Sequence, residues 1–314
     1  MRVTSHAFNE SLINQLNALT ARQYNLQNQV SSGLRFSAAS DDPAAMKNTL
    51  DLQAGKAAQT HYSGNIATLL TRATSIYNVL QSLHTISTRA GELATLASDD
   101  TKSQTDRDNY AGEVKQLIQQ AAQLANTKDA ATGQYLFGGT ASGAAPFVVT
   151  KDANDNVTGV TYQGNSSVNK IEIADGVTVS VDIPGANASG SGANGLFTDS
   201  RSGADFFSHL ISFQNNLESG NTTAIAATDT ANFQIDENNL LYNISNNGAT
   251  QTRLNTAATF ASNNSQSLDT MISNASGADM VQTIVQLNQA QTAYQAALQS
   301  GSKIMQLSLL NYIQ

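Results

Sequence analysis

Residues 31–50 read SSGLRFSAASDDPAAMKNTL, and they set the division of the chain. Before them, Leu12, Leu16, Leu19, Leu26 and Val30 recur at alternating steps of four and three, with Gln23 as an interruption. Such a stripe belongs to a helix that lays one face on a partner helix. Gly33 is placed to end that helix, because glycine readily takes the positive φ of a C′ position. Asp42 is a good N-cap, and Pro43 suits the first helical position, where its missing N–H costs nothing. The stretch therefore predicts helix, stop, an extended linker over 34–41, and a helix start.

Composition narrows the classes. The chain has 314 residues, room for two or three domains, with no Cys, no Trp and three Pro. The missing Cys excludes a disulfide framework, a zinc ribbon and a thiol nucleophile. Lys and Arg total 16 against 24 acidic residues, a net charge of −8. That balance argues against nucleic acid, whose binders need a positive footprint. Charged residues are 13% of the chain, against roughly 25% for ordinary domains. A polar but weakly charged surface suits packing against copies of itself. MRVTSHAFNESLINQ lacks an apolar h-region, so no cleaved Sec signal is expected. The apolar runs are far short of the ~20 residues that span a bilayer, so no membrane insertion is expected.

A second stripe (Ile66, Leu69, Ala73, Ile76, Leu80, Leu83, Ser87, Ala90, Ala94, Ala97) keeps strict three–four alternation. SDDTKSQTDRD at 98–108 supplies a turn and caps. Tyr110, Val114, Leu117, Ala121 and Leu124 then carry a third helix, most simply antiparallel to the second. From 133 the texture becomes β-like, with alternation in KIEIADGVTVSVDI and hairpin turns expected at DANDN and ADG. PGANASGSGANG at 184–195 reads as a flexible linker or loop. Helical periodicity returns at DFFSHLISFQNNL. A long segment over about 222–273 follows, with Phe233, Leu240, Ile244, Leu254, Ala258, Ala261, Leu268 and Ile272 on one face.

SGAD at 276–279 reads as a capping box, Ser276 the N-cap and Asp279 at N3. The last helix carries Met280, Ile284, Leu287, Gln291, Tyr294, Leu298, Gly301, Met305, Ser308 and Tyr312 in one stripe, flanked by Ala290, Ala297 and Ile304. Beyond Asp279 its only charged side chain is Lys303. A lone helix in water normally carries more charge, so this one expects neighbours on more than one side.

The expected fold is mainly α with a small β insertion, a nested coiled coil and bundle whose terminal helices pair. Residues 1–32 and 279–314 would form an inner coiled coil, 33–132 and 200–278 a helical bundle, and 133–199 a projecting β domain.

Chemical motifs fail on inspection. GSGANG (190–195) fits G-x-G-x-x-G, but no strand enters it and no helix leaves it. DANDNV begins like a calcium loop, yet Val157 stands where Gly is needed and Gln163 where a bidentate Glu is needed. His6, His61, His84 and His209 share no metal spacing, and no G-x-S-x-G elbow accompanies them. Asp41–Asp42 and Asp99–Asp100 are read as helix-start anions rather than paired catalytic acids. No enzyme activity, metal or cofactor is expected.

QVSSGLRFSAASDDPAA (29–45) and the segment from ISNASGADMVQ to LLNYI (272–313) resemble the two terminal signatures of the bacterial flagellin superfamily. MRVT at the start, Pro43, TGQYLFGGTASGAAPF (132–147) and YQGN (162–165) resemble its hook–filament junction branch. The resemblance implies a structural subunit that self-associates in a ring or short helical layer. That layer would lie between the hook-side junction protein and flagellin; the alternative is a flagellin-like filament subunit. It also implies an extracellular place on the flagellum, reached through the flagellar type III apparatus with a cytosolic export chaperone on the C-terminal helix.

The expected assembly interface is Leu12, Leu16, Leu19, Leu26 and Val30 with Ile284, Leu287, Tyr294, Leu298 and Met305, the helices pairing only on incorporation. Gly33, Arg35, Phe36, Asp41, Asp42 and Pro43 would form the spoke to the outer domain, with Arg35 and Phe36 docking between subunits.

Overall fold

The computed structural model describes residues 2–153 and 156–313, with side chains described over 10–153 and 156–303. Long helices dominate: α1 (Arg2–Ser32), α2 (Pro43–Ala97), α3 (Gln104–Ala125), α4 (Phe206–Ser219), α6 (Thr230–Ser276) and α7 (Met280–Ile313). A single turn, α5 (Thr222–Ala224), and a π-helical turn (Ile225–Asp229) precede α6. Between α3 and α4 lie the short strands β1 (Phe147–Lys151), β2 (Val157–Tyr162), β3 (Ile171–Ala174), β4 (Val177–Val179), β5 (Ala186–Asn187), β6 (Thr198–Asp199) and β7 (Ala204–Asp205). The fold is mainly α with a small β insertion.

Two compact units result, Met1–Gln59 with Asn263–Gln314, and Thr60–Ser262. Contacts thus group 33–59 and 263–278 with the terminal helices, whereas the sequence suggested a border at Gly33 and Asp279.

In the second unit every member of the Ile66–Ala97 stripe is buried. Ser103 caps α3, and Asp106 completes the box by accepting the Ser103 N–H. Asp99 lies upstream of that cap and accepts the Thr101 N–H at 2.9 Å, closing the preceding turn rather than starting a helix. Asp205 caps α4, which ends at Gly220 with φ +69°. Arg72 of α2 reaches Asp182 at 2.7 Å and Asp129 at 3.1 Å, both carboxylates almost wholly buried.

The β region forms two hairpins and a three-stranded sheet, β5–β6 parallel and β6–β7 antiparallel. Gly176 (φ +67°) turns β3 into β4. At the first hairpin Asp152 accepts the Asn156 N–H at 2.8 Å, while Asn154 and Asp155 lie outside the described residues. The YLFGG, PF and YQGN segments converge. Leu136 and Phe137 are fully buried, and Phe147 packs on Tyr162 with ring centroids 5.1 Å apart. The Tyr162 hydroxyl lies 2.9 Å from the carbonyls of Phe137 and Asn165. A Cβ at Gly139 would come within 2.1 Å of the Asn165 carbonyl, so only glycine fits there. These segments hold the core together.

Residues 184–195 correct the sequence reading. Their composition suggested a flexible linker, but the buried Asn187 amide donates to the carbonyls of Ser191 (2.7 Å) and Ala193 (2.6 Å). Arg201 donates to Gly192 and Ala193, and Asp199 accepts the Gly195 N–H at 2.8 Å. The glycines admit close turns that polar side chains then fasten. On α6 a row of buried amides, Asn239, Asn243 and Asn247, accompanies the expected apolar face. Asn239 donates to the carbonyls of Gly195 (3.0 Å) and Leu196 (2.8 Å).

Candidate functional site

All the residues nominated from sequence fall in the first unit, on α1, on α7 and at the joint beside them. Two contacts fix the register of the helix pair. A Cβ at Gly301 would lie 2.6 Å from Leu12 Cδ2. The Gln23 amide donates to the Ala290 carbonyl at 3.0 Å. Eleven residues forward on α1 correspond to eleven back on α7, so the helices are antiparallel. The same register sets Leu16 opposite Ala297, Leu19 opposite Tyr294, Leu26 opposite Leu287 and Val30 opposite Thr283. Gln23, the interruption in the heptad, is thus a polar bridge inside the seam.

The seam on α7 runs through Thr283, Leu287, Ala290, Tyr294, Ala297 and Gly301. Half of it differs from the sequence stripe, because small residues admit the closer approach. Ile284 and Leu298 instead lie on the flank, 44% and 46% exposed. Met305 falls outside the residues whose side chains are described, as does His6. Within one chain the two helices lie against each other. The pairing leaves much uncovered. Between residues 10 and 32 only Leu26 is buried, and between 280 and 303 only Thr283, Ala290 and Gly301. Ile13, Tyr24, Val281 and Val285 are each at least half exposed.

At the joint, Gly33 (φ +71°) ends α1 and donates its N–H to the Gln29 carbonyl at 2.9 Å. The linker expected over 34–41 is clasped to 275–278. Leu34 bridges Gly277, the Arg35 N–H donates to Ser276 at 2.8 Å, and the Ala278 N–H donates to Gly33 at 2.9 Å. Gly277 has no room for a side chain, since a Cβ would lie 2.4 Å from the Ser273 carbonyl.

Ser276 and Asp279 do not form the expected capping box. Ser276 ends α6 and donates to Ile272, while Asp279 is itself the N-cap of α7, accepting the Gln282 N–H at 3.1 Å. Asp42 accepts the Ala45 N–H at 3.0 Å and starts α2 at Pro43. Asp41 folds back onto the N–H groups of Ala38 (3.0 Å) and Ser37 (3.1 Å), which hold its carboxyl below the ordinary range.

Arg35 is largely exposed. It donates to Asp42 at 3.3 Å and stands over the Phe36 ring, 5.7 Å from its centroid. Phe36 is 6% exposed, so its own chain already uses the surface it would need to dock between subunits. A cavity of about 330 Å³ opens beside the clasp, lined by Asn25, Asn28, Gln29, Ser32, Arg35 and Asp41 among others. Across the start of α2 and the end of α6, Lys56 pairs with Asp269. Among the described residues the site is a packing and hydrogen-bonding surface.

Residues 5–142 match the bacterial flagellin N-terminal helical region. Over 169 residues the chain is 30% identical to flagellar hook-associated protein 3 of Salmonella typhimurium, a match covering 54% of this chain and 50% of that one. Over 185 residues it is 28% identical to flagellin of Clostridium tyrobutyricum, covering 57% and 47% respectively. The chain spans about half the length of these curated relatives. A putative flagellar hook-associated protein from Vibrio parahaemolyticus has the same fold, with a TM-score of 0.64 at 21% identity, over 76% of this chain and 100% of that one.

The N-terminal part of the chain is thus similar to the helical region of bacterial flagellin. The named relatives it resembles are flagellar hook-associated protein 3 and flagellin.

Proposed function

We propose that this chain is a structural subunit of the bacterial flagellum, forming the layer that joins the hook-side junction protein to the flagellin filament. One observation carries this most: the α1–α7 pair is held in register yet leaves Ile13, Tyr24, Val281, Ile284, Val285 and Leu298 in the open. Side chains 10–32 and 280–303 include only Glu10, Arg22 and Lys303 as charges. Exposed large apolar side chains on a nearly uncharged helix pair suit a protein interface. Neighbouring copies would cover it, each buried Ile or Leu contributing about 1.5–3 kcal/mol.

In this reading residues 1–32 and 279–314 form a coiled coil in the assembly, and 33–132 with 200–278 a helical bundle. The clasp at 33–43 is the spoke, with the largely exposed Arg35 side chain turned to a neighbour. Residues 133–199 form the variable β part. The subunit reaches the outside through the flagellar type III apparatus, its C-terminal helix covered by a chaperone beforehand. Its role is architectural, without catalysis.

A strain lacking the protein should build hooks, shed monomeric flagellin into the medium and fail to swim. Full-length filaments in that strain would overturn the junction role. The second reading, a filament subunit, draws on the similarity to flagellin. It requires the purified chain to polymerise alone into long filaments, which a junction subunit does not do.

A further inference from the structure

In the second unit, one histidine is surrounded by carboxylates from three other elements. His209 of α4 lies with Nδ1 2.7 Å from Oδ2 of Asp236 on α6. The other Asp236 oxygen accepts the Asp205 N–H at 3.0 Å, where β7 hands over to α4. Asp229, in the π-helical turn, is wholly buried and held by neutral partners, Asn216 at 2.8 Å and Ser212 at 3.4 Å. The charges facing His209 are Asp236, Asp205 and Asp229. Three carboxyl groups thus face one imidazole, an excess of acids over bases in the cluster.

We propose that His209 with Asp205, Asp229 and Asp236 forms a proton-binding latch that tightens α4 against the π turn and α6 in mildly acidic medium and loosens as pH rises.

The π turn is part of the device. Its Thr230 N–H bonds Ile225, an i→i+5 step that inserts one residue into the helix. That step carries Asp229, an ionisable group without a cationic partner of its own, into the interior. Burial alone would lower the His209 pKa, but the Asp236 hydrogen bond and the three surrounding charges outweigh it and raise it above 6.5. Burial raises Asp229 and Asp236 above the ordinary carboxylate value.

All three shifts mean that the folded unit holds protons more tightly than the unfolded chain. Stability must therefore fall as pH rises through the folded values. The histidine contribution is complete below 6.5 and disappears above its raised value.

The test is thermal unfolding of the full chain between about pH 6 and about pH 8.5, with His209→Gln beside the wild type. The wild type should melt several degrees lower at the higher pH, and the variant should lose most of that difference. An unchanged pH slope in His209→Gln would overturn the latch. Should the variant fail to fold, the wild type still decides: by NMR the His209 ring must titrate above 6.5, and titration at or below that value sinks the proposal.

Discussion

Leu12 lies directly over Gly301, so close that the first carbon of any side chain at 301 would meet Leu12 Cδ2 at 2.6 Å. The two terminal helices approach closely here, where one of them has no side chain. Gly301→Ala has two opposed effects: about 1 kcal/mol gained in helix propensity, and a push on the mobile end of Leu12. It should be nearly neutral. Gly301→Leu cannot be absorbed and should cost about 1–3 kcal/mol of overpacking. Far-ultraviolet circular dichroism of the two variants during melting separates the outcomes.

Because the chain has no Cys, its register can be read by cross-linking. Leu12→Cys combined with Gly301→Cys should oxidise to an intramolecular disulfide. Ile13→Cys with Gly301→Cys should remain reduced, since Ile13 points off the seam at 56% exposure. Equal cross-linking of both pairs would show that the antiparallel register does not persist in solution.

The clasp between the linker and the α6–α7 turn depends on Gly277. Gly277→Ala drives a methyl into the Ser273 carbonyl, which is backbone and cannot swing aside. The Arg35 and Ala278 amides, which bond across the clasp, should then exchange with deuterium much faster. Protection unchanged at both would contradict this geometry.

At the other end of the joint, Asp42→Ala removes the cap of α2 and should cost about 0.5–2 kcal/mol. Pro43→Ala should be mild. Asp41 acts differently: its carboxyl is held low by the Ala38 and Ser37 N–H groups. Its contribution is present above the ordinary carboxylate pKa and is lost as pH falls through the lowered value. Asp41→Asn should therefore reduce the loss of clasp protection on acidification, read by amide exchange at Ser37 and Ala38.

Arg72 holds two carboxylates that are almost fully buried, Asp129 and Asp182. Arg72→Met strands both and should destabilise the second unit by about 3–5 kcal/mol. Thermal unfolding of the full chain measures it, and a change under about 1 kcal/mol would show that water reaches the carboxylates.

Much of this molecule is legible before any coordinates. The Ile66–Ala97 stripe, the Gly33 stop and the Asp42–Pro43 start follow from periodicity and capping chemistry, which act over a few neighbouring residues. What escaped is chosen by distant partners. On α7, hydrophobicity favours Ile284 and Leu298 for the seam, but close packing selects Thr283, Ala290 and Ala297, and only the partner helix makes that choice. The 184–195 loop has the composition of a linker, yet Asn187 and Arg201 pin its carbonyls and Asp199 its Gly195 N–H, backbone groups that carry no side-chain signal. The SGAD stretch looked like a capping box because both residue types are right. The cap falls instead at Asp279, because α6 runs through Ser276 and Gly277 after it pairs with Leu34. Asp229 was invisible as a buried acid, since the π turn that carries it inward has no periodic mark.

The central claim is a place in the organelle, and immunogold labelling of intact flagella with antibody to this chain tests it most directly. The account predicts gold confined to a narrow band at the distal end of the hook; gold distributed along the filament would contradict it.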